Sequence, residues 1–241
     1  MRNINKILQM GSVFLFLYLC LEPMAVLADS YYPLQTKFPD TIMYKVETNE
    51  KIIALTFDDG PDNVYTPKVL DVLKKHGVQA TFFLLGARVE KYPDVVKRID
   101  EEQHEIGNHT FWHPELTKTG VENMKFEIEK SDKAITSVLR EKPKLFRAPY
   151  GALTEEMVQT LPDLGYRAVG WSIDSEDWKD LSKEEIKQQV INNLHPGSIV
   201  LMHSVGDVEE TVEAVDELIP YLKSLGYHFV TVPEMWQTEY K

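Results

Sequence analysis

Hydrophobic and polar positions along residues 51–232 alternate between two patterns, one typical of strands and one typical of helices. Short apolar runs that end in polar or turn residues predict strands at 51–57, 79–85, 104–108, 144–147, 166–173, 198–203 and 227–232. Longer helix-like stretches between them predict helices at 66–76, 93–102, 121–139, 154–164, 183–194 and 209–225. Gly77, Gly165 and Gly226 follow three of these helices, at the position where a left-handed residue commonly ends a helix.

This alternation of strands and helices predicts βαβ units around a parallel sheet. Seven strands at this spacing fit a (β/α) barrel, complete or incomplete, better than a doubly wound sheet. We therefore expect one α/β domain over residues 51–241, preceded by a connector at residues 29–50 that shows no clear periodicity.

The first 28 residues have a different pattern, which predicts a secretory signal peptide. Arg2 and Lys6 supply a positive start, and the apolar run at 12–21 is too short to span a bilayer comfortably. Val26-Leu27-Ala28 resembles a cleavage site, and an uncleaved membrane anchor is the alternative. We therefore expect the mature protein to be secreted or held at the cell surface.

The net charge and the cysteine content argue against nucleic acid as a partner and against thiol or disulfide chemistry. The net charge is −12 at pH 7, so an exported domain of this kind is a poor candidate for binding nucleic acid. The only cysteine, Cys20, lies in the predicted signal peptide. The mature protein is therefore expected to have no disulfides and no thiol chemistry.

The first predicted strand ends in two adjacent carboxylates, Asp58 and Asp59, followed by Gly60 and Pro61. Neighbouring side chains on a strand point to opposite faces, so both acids reach one pocket only if the chain bends, as Gly60-Pro61 allows. Two carboxylates this close repel each other unless a cation or a proton separates their roles. The pair predicts one aspartate bound to a metal and the other acting as a base, with an ordinary aspartate-rich turn as the alternative.

The third predicted strand is followed by two histidines, His109 and His113, four residues apart. Histidines at this spacing can converge on one metal ion from a single turn of chain. Together with one carboxylate they would form a ligand set that leaves positions open for water and substrate. The spacing alone is weak evidence, and a pair of surface histidines is the alternative.

Three later strand ends also carry candidate residues, at the end of a barrel where enzymes place their active sites. Arg147 can hold a carboxylate by a bidentate contact, and the Pro149-Tyr150-Gly151 turn can aim a backbone N–H at a reacting oxygen. Residues 171–178 combine tryptophans with acids, which suits a sugar site. His203 has the chemistry of a general acid. Taken singly, each of these also fits a structural role.

Five motifs occur in this order at predicted strand ends: TFDDGP, HTFWHP, RAPYG, a tryptophan followed by DSEDW, and LMHS. Together they resemble the five motifs of the polysaccharide deacetylase family, also called the NodB-homology or carbohydrate esterase 4 family. The resemblance covers about residues 50–236. It implies a distorted (β/α) barrel of seven or eight parallel strands.

The resemblance also implies a role for each residue that matches a family position. The set comprises the base Asp58, the arginine Arg147 that orients it, the metal ligands Asp59, His109 and His113, the oxyanion donor Tyr150 through its backbone N–H, the acid pair Asp177 and His203, and the acetyl-pocket residues Trp171 and Leu201.

By the same resemblance, the protein is expected to be a metal-dependent hydrolase that removes N-acetyl groups from peptidoglycan or chitin-like polysaccharide and releases acetate. The resemblance implies a single divalent metal, usually zinc, with cobalt, manganese or nickel as alternatives. Asp174 with Asp177 resembles the form seen in GlcNAc deacetylases, which favours GlcNAc units over MurNAc units. The alternatives are an O-acetyl esterase on xylan-type glycans and a non-catalytic glycan-binding protein. We expect a monomer whose partner is the N-acetylated glycan.

Overall fold

The structure is a computed structural model that describes residues 32–238 of the chain. The predicted signal peptide at 1–28 lies outside these described residues. No helix between residues 32 and 238 is both long enough and apolar enough to cross a bilayer.

Nine parallel strands of the described chain form one sheet. They are β1 (Ile42–Met43), β2 (Ile52–Asp58), β3 (Thr81–Leu84), β4 (Glu105–Asn108), β5 (Leu145–Phe146), β6 (Arg167–Val169), β7 (Ile173–Asp174), β8 (Ser198–His203) and β9 (His228–Phe229). Eight strands follow the order β1-β6-β5-β4-β3-β2-β8-β7, while β9 pairs with the start of β2. The sheet curls into a half-barrel, which confirms the predicted distorted barrel of parallel strands.

Helices connect most successive strands, as parallel pairing requires. They are α1 (Pro33–Lys37), α2 (Tyr65–His76), α3 (Gly86–Lys91), α4 (Pro93–Glu101), α5 (Leu116–Thr119), α6 (Val121–Leu139), α7 (Glu155–Thr160), α8 (Lys183–Asn192), α9 (Glu209–Ser224) and α10 (Val232–Thr238). The predicted stop at Gly77 ends α2 in the left-handed conformation with φ 59°. Predicted helix 154–164 ends early as α7, because Pro162 cannot continue it and starts a short 3₁₀ turn instead.

The alternation of side chains along β2 determines what faces the interior of the half-barrel. Ile53, Leu55 and Phe57 pack with the residues of α2 and α9 in the outer core. Ile52 and Ala54 pack in the inner core, which α10 closes at the end where the strands begin. Because the period of a strand is two residues, Thr56 and Asp58 share the inner face with Ile52 and Ala54. Asp58 is therefore directed inward at the carboxyl end of the half-barrel.

The predicted strand at 166–173 is wrong as a single element, because it is two strands at distant places in the sheet. β6 lies between β1 and β5, whereas β7 lies at the opposite edge beside β8. The segment between them crosses the open side of the sheet: the N–H of Gly170 donates to Met43, and that of Ser172 donates to Ile199. An apolar run in the sequence cannot reveal that its two halves have different partners.

Two other segments also differ from the sequence-based expectation. Part of the connector expected at 29–50 joins the sheet as β1, because Ile42 and Met43 are buried and pair with Ala168 and Val169 of β6. The strand predicted at 227–232 is shortened to β9, and α10 begins at Val232.

Candidate active site

The polar residues predicted for the site meet at the carboxyl ends of four strands. Asp58 ends β2 and is paired in register with His203, which ends β8. His109 and Arg147 follow directly after the last residues of β4 and β5. Parallel strands end at the same edge of a sheet, so these four residues come together at one end of the half-barrel.

Asp58 and Asp59 reach the same pocket because the backbone turns sharply between them. Asp58 is 3% exposed and continues the inner face of β2. Asp59 has φ 69°, in the left-handed region, which costs a non-glycine residue about 1–3 kcal/mol. The bend therefore begins at Asp59 itself, one residue before the predicted Gly60-Pro61 turn.

Asp59, His109 and His113, the metal ligands expected from the sequence, lie together as a candidate metal site, called the metal-binding cluster below. One ligand atom from each residue lies within 4.8 Å of the other two. The Nε2 atoms of both histidines lie 3.4 Å from Oδ1 of Asp59. This oxygen is buried and has no hydrogen-bond donor among the described residues. A buried carboxylate oxygen that faces two imidazole nitrogens without a donor fits a divalent cation.

The tautomer of His109 is fixed by a backbone contact. Its Nδ1 lies 2.8 Å from the carbonyl oxygen of Arg147, so Nδ1–H donates there and the lone pair of Nε2 is directed towards Asp59. Burial alone would lower the pKa of His109, but the charges of Asp58 and Asp59 raise it.

Asp59 and His113 respond to the same cluster of charges. Burial alone would raise the pKa of Asp59, but contact with His109 and the charges of His113 and His203 lower it well below its usual range. Burial lowers the pKa of His113, and the charge of His109 lowers it further. The carboxylate is thus ionised, and one imidazole is readily neutral, as metal ligation requires.

The loop after β4 is held in a strained conformation by a buried acid. Thr110 and His113 have φ values of 72° and 59°, in the left-handed region. Glu127 on α6 is 4% exposed, and its Oε2 accepts from the N–H groups of Phe111 and Trp112 at 2.9 and 2.8 Å. These bonds fix the two residues that lie between the left-handed positions.

The start of α3 supports the same loop from the other side. The N–H groups of Gly86 and Ala87 donate to the carbonyl oxygens of Thr110 and Phe111 at 3.0 and 3.2 Å. A Cβ atom at position 86 would lie 2.5 Å from the Phe111 ring and 2.7 Å from the Ser131 backbone. Only glycine allows α3 to approach this closely.

Arg147 is fully buried and connects β2 with the end of β6. Its Nη1 donates to Oδ1 of Asp58 at 2.8 Å and to the hydroxyl of Thr56 at 2.7 Å. Its Nε and Nη2 donate to the carbonyl oxygens of Val169 and Gly170 at 3.1 and 2.8 Å. The contact with Asp58 involves one carboxylate oxygen, so the bidentate contact suggested by the residue type is not formed.

Tyr150 combines a backbone N–H that is unpaired among the described residues with an exposed ring beside His113. It has φ 60°, and its N–H donates to no other described residue. Its side chain is 66% exposed, and its ring lies edge-on to that of His113 with centroids 4.7 Å apart. The ring of Tyr150 is therefore close to the metal-binding cluster.

Asp177 holds His203, which lies beside Asp58 at the end of β8. Oδ1 of Asp177 lies 2.7 Å from Nδ1 of His203, while Oδ2 accepts from the His203 N–H at 2.8 Å and the Thr211 hydroxyl at 3.0 Å. The proton on Nδ1 thus faces Asp177, and Nε2 is left for other partners. Burial alone would lower the pKa of His203, but the hydrogen bond with Asp177 raises it to about 9.

Trp171 and Leu201, the residues expected to bind the acetyl methyl, each adjoin one of these groups. The ring centroid of Trp171 is 5.6 Å from the guanidinium carbon of Arg147. A Cβ atom at Gly151, where φ is +65°, would lie 2.6 Å from the Trp171 ring, so the Tyr150 turn packs closely on the indole. Leu201 is 4% exposed and shares the inner face of β8 with His203, two residues further along.

Sequence comparison identifies the family of this chain. The family described as "Polysaccharide deacetylase" matches residues 45–169. The chain is also 45% identical over 192 residues to a peptidoglycan-N-acetylglucosamine deacetylase of Bacillus cereus, covering 79% of this chain and 70% of that protein. The chain belongs to the polysaccharide deacetylase family.

Two further similarities are to a relative named for N-acetylmuramic acid and to a protein of solved structure. The chain is 39% identical to the peptidoglycan-N-acetylmuramic acid deacetylase PdaA of Bacillus subtilis, covering 80% of this chain and 74% of that protein. It is also similar to the crystal structure of the Bc1960 peptidoglycan N-acetylglucosamine deacetylase in complex with an N-hydroxybenzamide. That match has a TM-score of 0.82 and 41% identity, and covers 86% of this chain and 98% of that one.

The structure brings all ten predicted site residues to one end of the half-barrel and adds others that the sequence did not single out. Thr56 lies inside a quoted motif and Asn108 directly precedes one, but neither received a role, although Thr56 contacts Arg147 and Asn108 accepts from the N–H of Thr110. Glu127 and Thr211 lie on helices outside the motifs. Their only signal in the sequence is a polar residue on the buried face of a helix.

Proposed function

We propose that the protein is a metal-dependent N-deacetylase that removes acetyl groups from GlcNAc units of peptidoglycan. One observation carries this proposal: the donor atoms of Asp59, His109 and His113 lie within 4.8 Å of one another, in a site that also holds the buried carboxylate of Asp58 and the partly buried imidazole of His203. Amide hydrolysis needs these three elements together, namely an electrophilic cation, a base for water and an acid for the leaving amine.

Asp59, His109 and His113 are the proposed metal ligands. Two imidazole nitrogens and one carboxylate oxygen suit zinc, and cobalt, manganese or nickel are also compatible with this set. When bound, the metal supplies Lewis acidity towards the acetyl carbonyl and lowers the pKa of water. The Arg147 carbonyl keeps Nε2 of His109 available as the ligand atom.

Asp58 is the proposed general base. Arg147 engages its Oδ1 at 2.8 Å, while its Oδ2 lies 3.7 Å from Nε2 of His109. One carboxylate oxygen is therefore held, and the other is directed towards the metal-binding cluster, where it could accept a proton from a water molecule. Removing a proton from that water produces the nucleophile.

His203 is the proposed general acid. An amine leaves poorly unless it is protonated, and the pKa of about 9 keeps His203 cationic at neutral pH. Its Nδ1–H is held by Asp177, so Nε2 is the nitrogen that delivers the proton to the departing amine. An ester releases an alcohol more readily, so a cationic acid held at this position favours amide cleavage over O-acetyl ester cleavage.

Tyr150, Trp171 and Leu201 are proposed to bind the acetyl group. The free N–H of Tyr150 can donate to the oxygen on which negative charge develops. Trp171 and Leu201 supply apolar surface for the acetyl methyl between the Tyr150 turn and β8. Tyr150 thus acts on the acetyl oxygen, whereas Trp171 and Leu201 act on the acetyl methyl.

Two observations support a GlcNAc unit as the site of deacetylation. A 45% identical relative is named as a GlcNAc deacetylase, compared with 39% identity for the muramic acid deacetylase. Asp174 ends β7 and accepts from the N–H of Glu176 at 2.8 Å, so a carboxylate is fixed beside the pocket where it can accept from sugar hydroxyls. We also propose that the protein is exported, because residues 1–28 have the pattern of a signal peptide. An exported enzyme would have access to peptidoglycan.

The test measures acetate release from peptidoglycan, chitooligosaccharides and acetylated xylan, before and after dialysis against a chelator. We expect release from the two GlcNAc polymers, its loss after metal removal, and its recovery when one equivalent of zinc is restored. Release that survives complete metal removal would contradict the metal-dependent reaction. Release from xylan alone would indicate the esterase, and glycan binding without any release would indicate a binding protein.

A further inference from the structure

A surface of two exposed aromatic rings and one lysine adjoins the metal-binding cluster. Trp112 is 63% exposed and directly precedes His113, and Phe126 on α6 is 57% exposed. Nζ of Lys130, also on α6, lies 5.0 Å from the ring centroid of Trp112 and 5.9 Å from that of Phe126. Trp112, Phe126 and Lys130 are called the aromatic–lysine surface below.

The backbone under Trp112 is held before any ligand arrives. Its N–H donates to the buried Glu127 at 2.8 Å, and its ring lies edge-on to that of Phe111 with centroids 4.6 Å apart. Exposed aromatic side chains leave apolar area in contact with water, which costs free energy unless a ligand covers it. A large ring held in advance binds a ligand with little loss of conformational entropy.

Lys130 carries a charge that the described residues do not neutralise. Its ammonium lies above the rings of Phe111, Trp112 and Phe126, with the Phe111 centroid 4.0 Å away. It forms no ion pair within residues 32–238, whereas Lys125 on the same helix pairs with Glu122. A cation seated on aromatic rings with no carboxylate of its own is suited to a carboxylate on a ligand.

The position of this surface suits contact with neighbouring sugar units of the polymer rather than with the reacting acetyl group. Trp112 is adjacent in sequence to His113, and the ring of His113 is flanked by that of Tyr150 at 4.7 Å. A polysaccharide that places one unit at the cluster must extend its neighbouring units over the adjoining protein surface. Sugar rings have apolar faces that stack on aromatic side chains, and their acidic substituents pair with cations.

We propose that the aromatic–lysine surface is an accessory subsite for a neighbouring sugar unit that carries a carboxylate. The sugar ring stacks on Trp112 and Phe126, and the carboxylate pairs with Lys130. The inference rests on the proposed function, because it assigns the carboxylate to muramic acid or to its attached peptide. The surface would thereby favour peptidoglycan over the neutral polymer chitin.

The experiment compares three substrates of equal sugar length: chitooligosaccharides, peptide-free glycan strands with free muramic acid carboxylates, and strands that retain their peptides. The variants are Lys130→Gln, Lys130→Arg and Trp112→Ala. Lys133→Gln on α6 and Tyr221→Ala on α9 are matched controls, because both side chains are exposed and lie outside the surface. Thermal unfolding of each variant shows whether its fold is preserved.

We expect Lys130→Gln to raise KM about two- to fivefold on carboxylated strands, with kcat unchanged and with no effect on chitooligosaccharides. Lys130→Arg should restore KM, and Trp112→Ala should raise KM about two- to tenfold on all substrates. An effect confined to peptide-bearing strands would assign the carboxylate to the peptide, and an effect on peptide-free strands would assign it to muramic acid.

An equal change of KM on neutral and carboxylated substrates in Lys130→Gln would overturn the carboxylate assignment. Unchanged KM in Trp112→Ala would overturn the subsite. Binding of the same glycans to the Asp58→Asn variant, measured by calorimetry, tests the subsite separately from the proposed deacetylase function. If wild type releases no acetate, the proposed function fails, yet loss of carboxylate-dependent binding in the Asp58→Asn/Lys130→Gln double variant would still support the subsite.

Discussion

Arg147 holds one oxygen of Asp58 and leaves the other directed at the metal-binding cluster. Nη1 lies 2.8 Å from Oδ1, and both side chains are almost completely buried. The remaining guanidinium donors contact Thr56 and the carbonyl oxygens of Val169 and Gly170, so the arginine cannot swing towards the second oxygen without breaking those bonds. Charge compensation and orientation of the carboxylate thus come from a single residue.

Replacing Asp58 by asparagine should remove the base and preserve the site. The amide oxygen can still accept from Arg147, but the group can no longer take a proton from water. We expect kcat to fall about 10²- to 10⁴-fold, with metal stoichiometry unchanged. Initial rates of acetate release and elemental analysis of the purified variant measure the two quantities. Asp94→Asn, at an exposed carboxylate on α4, is the control. Wild-type turnover in Asp58→Asn would show that Asp58 is not the base.

The pairing of His203 with Asp177 predicts how activity depends on pH. Because the pKa of His203 is raised to about 9, its acid form is populated at neutral pH and is lost as the pH rises through 9. We therefore expect kcat to decline on the alkaline side near pH 9. The same shift stabilises the folded state below about pH 6.5, the ordinary histidine pKa, and that stabilisation disappears as the pH approaches 9.

The Asp177→Asn variant tests this assignment, because it removes the negative charge that favours the imidazolium. The alkaline limb of kcat should move down towards the ordinary histidine value, by about two pH units. Thr211→Val is a matched variant, since it removes only the hydroxyl that donates to Oδ2 of Asp177. It should move the limb far less. A limb that stays near pH 9 in Asp177→Asn would assign the titration to a different group.

Loss of one metal ligand should separate metal binding from folding. His113→Ala removes one of the two imidazoles that lie 3.4 Å from Asp59, and its side chain is only partly buried. We expect metal affinity to fall at least about 100-fold, with a small change in the free energy of unfolding of the metal-free protein. Zinc titration by calorimetry and denaturant unfolding with chelator present measure both. His195→Ala, remote from the cluster, should retain one zinc. Equal zinc affinity in His113→Ala would exclude this residue as a ligand.

Features encoded in contiguous residues could be predicted from the sequence, whereas features that depend on distant partners could not. The turn after Asp58 and the spacing of His109 and His113 are local, so their place at strand ends was recoverable. The division of 166–173 into β6 and β7 depends on contacts with Met43 and Ile199, which lie far away along the chain. The role of Glu127 was hidden for the same reason, because an acid on a helix gives no sign of the loop that it binds.

The buried Glu127 supplies the last prediction, which concerns the geometry of the metal loop. Two non-glycine residues of this loop, Thr110 and His113, have positive φ, each at a cost of about 1–3 kcal/mol that neighbouring contacts must offset. Both hydrogen bonds to Glu127 end on the same oxygen, Oε2, so glutamine could accept both through its carbonyl oxygen. Leucine could accept neither.

We therefore expect Glu127→Leu to lower metal affinity about 10- to 100-fold and to destabilise the fold by about 1–3 kcal/mol. Glu127→Gln should stay close to wild type in both respects. The absorption spectrum of the cobalt-substituted protein reports ligand geometry directly and would change in the leucine variant, whereas a purely structural loss would lower stability and leave the spectrum unaltered. Glu129→Leu, at an exposed position on the same helix, controls for the change in helix composition. Wild-type metal affinity and spectrum in Glu127→Leu would mean that α3 and Asn108 suffice to hold the loop.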